Sequence, residues 1–313
     1  MRYLILPALI STFLFFSCYK NNDKPIPTII YGKSIYNIEV EGKQREYLVH
    51  VPASYDGKTD FPVVIMLHGT SGDGAKMYNG SGWVQLSETE NFLAVFPSSL
   101  KPCIIVDGEV KSITKWNSQP AEWQYCPNEF QPNDILFLNK MLDEIEEDFK
   151  VDKKRIYLEG FSNGGQMASK CSIFLSERLA AIVANASGFS VDTTFIPHRK
   201  LPMTFQIGNM DWGPGVDGPS ISLSLFDTVL VSRRVGVTVN TTINSFGLSP
   251  NYALSGDTST AMIATYNPLD GSTYRNYNVV FVNGLGHSYP NGNNHWMYAA
   301  KLHWDWMQQF TLD

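Results

Sequence analysis

The chain has 313 residues, 43% of them hydrophobic and 17% charged, with a formal net charge of −6. This is ordinary globular composition, enough for one large core or two small ones. No block of Lys or Arg stands out, which argues against a nucleic-acid partner.

At the N-terminus Met1-Arg2 precedes a short apolar run, YLILPALISTFLFFS, broken by Pro7. The run is too short and ends too abruptly for a transmembrane helix, and residues 1–17 have the form of a secretory signal. A small residue, Ser17, precedes Cys18, and the chain then turns polar at YKNNDKP. The arrangement resembles a bacterial lipoprotein signal, in which the cysteine becomes the lipidated first residue. Plain secretion with a cleaved signal is the other reading, since both positions before Ser17 are Phe. Either reading is extracytoplasmic, and lipidation of Cys18 would anchor the chain to a membrane without a spanning helix. Residues 18–30 read as a tether and 31–313 as one domain. An oxidising location permits a disulfide. Cys103 and Cys126 bracket one irregular segment and are the expected pair, whereas Cys171 is expected as a buried free thiol. No Cys/His spacing reads as a metal site.

SIYNIEVEGKQREYLVHVP alternates and turns at Glu41-Gly42, which predicts an antiparallel hairpin. FPVVIMLHG and FLAVFPS are continuous apolar runs, as in strands buried on both faces of a sheet. Residues 98–132 lose all pattern but contain Trp116, Trp123, Tyr125 and both candidate cysteines. Such long segments are commonly functional. NDILFLNKMLDEIEEDFK has helical spacing. RIYLEG, LAAIVANAS, LPMTFQIG, AMIATYN and YNVVFVNG read as strands. SNGGQMASKCSIFL and SLFDTVLVSRRVG read as helices, and NHWMYAAKLHWDWMQQF as a closing helix. The alternation predicts an α/β fold with a mostly parallel central sheet, helices on both faces and the opening hairpin as its antiparallel edge.

The stretch Gly160-Phe161-Ser162-Asn163-Gly164 sets a serine between two glycines, after a strand and before a helix. That context gives GxSxG its meaning as a nucleophile turn. A serine hydroxyl needs a base, a group to orient the base, and donors for the oxyanion. Of six histidines, His287 in FVNGLGHSYPNG lies in a Gly-rich turn just past the last predicted strand, and is the candidate base. Asp211, just past MTFQIG, is the candidate acid, with Asp217 and Asp227 as rivals. The order Ser162, Asp211, His287 is that of the α/β-hydrolases. The backbone N–H groups of Asn163 and of Thr70, or alternatively Gly69, are the candidate oxyanion donors. The HGTSGDG loop lacks the nucleotide-binding glycine patterns.

LHGTSGDG, FPSS…KWN, VDKKRIYLEGFSNGGQMA and GLGHSYPNG together resemble the polyhydroxybutyrate-depolymerase-like and feruloyl-esterase-like branch of the α/β-hydrolases, the neighbourhood of carbohydrate esterase family one. The resemblance implies an α/β-hydrolase catalytic domain over residues 31–313 and a Ser162–Asp211–His287 triad that cleaves carboxylic esters without metal or cofactor. It also implies that Trp116 lies near the mouth of the site. Trp116, Trp212 and Tyr289 would suit a phenolic acyl group or a hydroxyalkanoate chain. Feruloyl or acetyl esters of plant polysaccharide and hydroxyalkanoate polyesters are the implied substrates. A serine peptidase on the same fold and a non-catalytic binding lipoprotein are the competing readings.

Overall fold

The structure is a computed structural model that describes residues 29–106, 108–118, 124–272 and 275–312. The expected signal over 1–17, Cys18, the expected tether up to residue 28 and Trp123 lie outside the described residues.

Strands β1 (Gly32–Val40) and β2 (Lys43–Val51) form the expected hairpin. Next come β3 (Phe61–Leu67), helices α1 (Gly74–Gly80) and α2 (Trp83–Glu90), and β4 (Leu93–Pro97). Three short strands follow, β5 (Cys103–Val106), β6 (Glu109–Ser112) and β7 (Gln124–Tyr125). Then α3 (Asp134–Asp148), β8 (Val151–Phe161), α4 (Asn163–Phe174), β9 (Ala181–Asn185) and β10 (Met203–Gly208) alternate. The chain closes through α5 (Phe226–Leu230), α6 (Arg233–Phe246), β11 (Leu248–Asp257), β12 (Ala261–Pro268), β13 (Tyr277–Val282) and α7 (Ala299–Met307).

Among the described residues ten strands make one sheet, in the order β1-β2-β4-β3-β8-β9-β10-β13-β12-β11. Its middle, from β4 to β13, is parallel, and antiparallel pairs close both edges. Every residue of β3, β4, β9 and β10 is buried, as continuous apolar runs require of strands covered twice. Successive side chains leave a strand on opposite faces. In β3, Val63, Ile65 and Leu67 therefore join the core under α3, α4 and α6, while Val64 and Met66 join the core under α1, α2 and α7.

The structure departs from the sequence reading in several places. The segment SLFDTVLVSRRVG, from Ser224, is not one helix. It breaks after Leu230, and Ser232 caps a fresh start by accepting the N–H of Val235. The second antiparallel edge, β11, escapes the pattern because it is mostly exposed and polar. The closing helix starts only at Ala299, so His295 sits in the loop before it. There Asn291 Oδ1 accepts the N–H groups of Asn293 and Asn294, a turn that competes with helix. The stretch after Ser98 holds a small sheet, β6-β5-β7, with Cys103 bonded to Cys126. Cys171 is a buried free thiol on α4, pushed upward by burial.

Candidate active site

β8 runs straight into Ser162, whose backbone has φ 55° and ψ −121°. A non-glycine residue in the left-handed region costs about 1–3 kcal/mol and persists only where its surroundings impose it. Here they do. A Cβ on Gly160 would lie 2.0 Å from the Gly164 carbonyl oxygen, and one on Gly164 would lie 2.6 Å from those of Leu67 and His68. Only glycines let β8, α4 and the end of β3 approach this closely. The Ser162 N–H donates to Asn185 O at 2.8 Å, and Ser162 O accepts from Gly165 and Gln166 at 2.8 and 3.1 Å. The turn is thus pinned on both sides, with the hydroxyl aimed outward over the carboxyl ends of the strands.

The loops after β10 and β13 meet above this turn. Gly208 packs so closely on Leu285 that a Cβ would sit 1.9 Å from its carbonyl oxygen. Asn209 joins the two loops. Its Oδ1 accepts the Gly284 N–H at 2.8 Å, and its Nδ2 donates to Asn283 Oδ1 at 3.0 Å. His287 Nε2 then lies 2.9 Å from Ser162 Oγ, and Nδ1 lies 3.0 and 3.1 Å from the Asp211 carboxylate oxygens. Asp217 is exposed on the same loop as Asp211, and Asp227 accepts the Tyr252 hydroxyl on α5, so neither rival takes part.

Asp211 has further donors that the sequence reading missed. Arg234 gives Nη2 to Oδ1 at 2.9 Å and Nη1 to the Asp211 carbonyl, while the Gly213 N–H reaches Oδ1 at 3.0 Å. Burial raises the Asp211 carboxyl, but His287 and Arg234 outweigh it and hold the group below its ordinary value. It is ionised at neutral pH, as an acceptor for the imidazole N–H must be. A signal for Arg234 was present. Arg233 and Arg234 open α6, where the helix dipole disfavours cations, so they serve something outside the helix. Arg234→Gln is expected to lower kcat/KM for a simple ester by roughly 10–100-fold through misplacement of Asp211, with partial rescue by Arg234→Lys. Equal kcat/KM for wild type and Arg234→Gln would contradict this role.

The loop after β3 faces the same turn. A Cβ on Gly69 would lie 3.1 Å from Ser162 Cβ, which sets the Gly69–Thr70 peptide beside the serine. The neighbouring N–H groups of Ser71 and Gly72 are taken by Thr114 O and Gly69 O. Asn163 begins α4, where the first N–H groups have no partner within the helix. Its side chain is fully engaged, accepting from Trp116 N at 2.7 Å and donating to Ser118 Oγ at 3.0 Å.

Two of the three aromatic candidates are corrected. Trp116 is 0% exposed. It packs on the His68 ring and donates Nε1 to His68 O, so it lies beneath the site and not at its mouth. Tyr289 is 8% exposed and packs edge-on against Phe161, behind His287. Both are buried braces: Trp116 supports the loop after β3 and Tyr289 supports Phe161. Trp212 is 41% exposed beside Asp211, held by Nε1 on Pro219 O.

His68 is a structural histidine. Its Nδ1–H donates to Gly69 O at 2.7 Å and its Nε2 accepts the Ser99 N–H at 2.9 Å, partners that require the neutral ring. Burial pushes it down to about 4, against roughly 6.5 in an unfolded chain. Between those values the unfolded chain binds a proton that the folded chain refuses, so stability falls as the pH drops through this window. Wild type is expected to lose about 2 kcal/mol more than His68→Gln between pH 7 and pH 5, read from urea unfolding. Equal losses would contradict it.

No family model matches the chain. The chain is 23% identical over 163 residues to a bifunctional acetylxylan esterase/xylanase, XynS20E, of Neocallimastix patriciarum, a match covering 52% of this chain and 21% of that protein. It is 25% identical over 177 residues to poly(3-hydroxyalkanoate) depolymerase C of Paucimonas lemoignei, covering 52% of this chain and 38% of that one. The matches thus span well under two thirds of these relatives' own length. Among solved structures, acetyl xylan esterase from Aspergillus awamori superposes with a TM-score of 0.59 at 14% identity, covering 88% of this chain and 99% of that one. The mostly parallel sheet superposes on that solved structure over most of this chain. The chain therefore has the α/β-hydrolase fold, and its sequence resembles the acetylxylan-esterase and polyhydroxyalkanoate-depolymerase branch of that fold.

Proposed function

We propose that the protein is an extracytoplasmic serine esterase acting through an acyl-enzyme. The observation that carries this is the unbroken line from Ser162 Oγ through His287 to Asp211, set on a strained turn. Ser162 Oγ attacks the ester carbonyl as His287 Nε2 takes its proton. The imidazolium is stabilised by Asp211, which Arg234 and the Gly213 N–H hold in place. The carbonyl oxygen, now an oxyanion, receives the N–H groups of Asn163 and Thr70. His287 then passes its proton to the leaving alcohol, and a water activated by the same histidine releases the acid. No step asks for a metal or an organic cofactor.

Feruloyl or acetyl esters of plant polysaccharide, or hydroxyalkanoate esters, are the proposed substrates, and the exposed Trp212 is the proposed aromatic contact. A panel of methyl ferulate, acetylated xylan, a hydroxybutyrate oligomer and p-nitrophenyl acetate tests the reading. Hydrolysis of at least the p-nitrophenyl ester is expected, and inertness towards all four would overturn it.

Location is proposed from residues 1–18, with the Cys103–Cys126 bond in support, since disulfides persist in oxidising compartments. An intact mass showing a diacylglyceryl adduct on Cys18 is expected from bacterial membranes. A cytoplasmic chain retaining Met1 would contradict it.

A further inference from the structure

We propose that the cavity beside Ser162 binds a carboxylate carried by the ester substrate, and that Arg233 is the group that recognises it. The inference rests on the esterase reading above and adds a substrate class to it. The cavity holds about 410 Å³, within the roughly 300–1,000 Å³ usual for small-molecule sites. It lies between the first turns of α4, the loop after β9 and the start of α6.

Three of its walls are tied to the reacting residues. Gln166 lines one, and its backbone N–H donates to Ser162 O at 3.1 Å. Ala186 lines another and directly follows Asn185, whose carbonyl accepts the Ser162 N–H at 2.8 Å. Arg234 lines the third and is paired with Asp211.

The chemistry of the lining is one-sided. Phe189, Phe205 and Val237 supply apolar surface, and no acidic side chain lines the cavity. Arg234 is committed to Asp211, whereas Arg233 makes no ion pair among the described residues. Both guanidinium groups stand at the positive end of α6, so the helix dipole adds to their field. With Arg234 neutralised by Asp211, Arg233 is the one lining charge without an acidic partner among the described residues, in a chain whose net charge is −6. A guanidinium fork matches a carboxylate in two parallel hydrogen bonds. The ligand that fits is an ester with a free carboxylate and a short apolar body. The carboxylate can belong to the acid part or to the alcohol part.

Two matched pairs of esters separate these sources. Mono-4-nitrophenyl adipate against 4-nitrophenyl hexanoate puts the charge on the acid part. 4-Acetoxybenzoate against 4-acetoxybenzamide puts it on the alcohol part. In one pair the charged ester is expected to have about tenfold or greater kcat/KM over its neutral partner, as a charge-assisted bond gives. Arg233→Gln should lower that charged-to-neutral ratio about tenfold, mainly through KM, and Arg233→Lys should restore part of it. A ratio near one in both pairs, or a preference that survives Arg233→Gln, overturns the inference. Hydrolysis of the neutral esters without charge preference overturns this inference alone, whereas inertness towards all four esters overturns the esterase reading with it.

Discussion

Ser162→Ala is expected to lower kcat for p-nitrophenyl acetate by roughly 10⁶-fold, the loss typical when the nucleophile of a Ser-His-Asp site is removed. The fold should survive. Alanine occupies the same strained backbone well, at φ 55°, and the hydrogen bonds that pin the turn are all backbone bonds. Ser162→Gly separates chemistry from strain. Glycine adopts positive φ freely, so it should be about 1 kcal/mol more stable than the alanine variant while equally inactive. A Ser162→Ala variant that keeps more than a tenth of wild-type kcat would mean that another group attacks the ester. Equal unfolding midpoints for the two variants would mean that the turn stores no strain.

Asp134→Ala is expected to cost about 3–5 kcal/mol of stability. Asp134 opens α3, and its side chain is 0% exposed. Oδ1 accepts Arg45 Nη2 from β2 at 2.6 Å, and Oδ2 accepts the Asn117 N–H at 2.6 Å. Burial pushes the carboxyl up, and Arg45 with the Asn117 N–H pulls it back. The Arg45 side chain is 1% exposed and lies 3.9 Å above the Phe137 ring. Removing Asp134 strands that guanidinium without a counter-charge. It also frees Asn117, next to the Trp116 backbone that holds Asn163, so activity should fall along with stability. Arg45→Met combined with Asp134→Leu should lose less than Asp134→Ala alone, because no orphaned charge remains. A loss below about 1 kcal/mol for Asp134→Ala in urea unfolding would contradict the account.

The features legible in the sequence are those governed by local rules. Apolar runs such as FPVVIML read as doubly buried strands, Glu41-Gly42 as the hairpin turn, and glycines 160 and 164 as a close crossing. Ser162, Asp211 and His287 were legible because each follows a strand end. The structure brings these three side chains into hydrogen-bond reach.

Tertiary partners were not legible. VGVTVNTTINSF is rich in β-branched residues, which favour strands, yet it forms most of α6 because its apolar face packs on the sheet. Trp116 and Tyr289 were expected as substrate contacts, Trp116 at the mouth of the site through the family resemblance. Only the packing shows that both are buried as braces. Arg234 and Asn209 act across more than twenty and more than seventy residues of sequence, separations at which no periodicity speaks. Arg45 and Asp134 lie 89 residues apart in the sequence, and nothing local pairs them.

The central claim is that Ser162 is a nucleophile activated in place. Its most direct measurement is the intact mass of the folded protein after treatment with a fluorophosphonate, followed by peptide mapping. One phosphonyl adduct per chain is predicted, on the peptide that contains Ser162, and none in Ser162→Ala or His287→Ala. A folded wild-type protein that takes no label, or that takes it on another residue, would contradict the account.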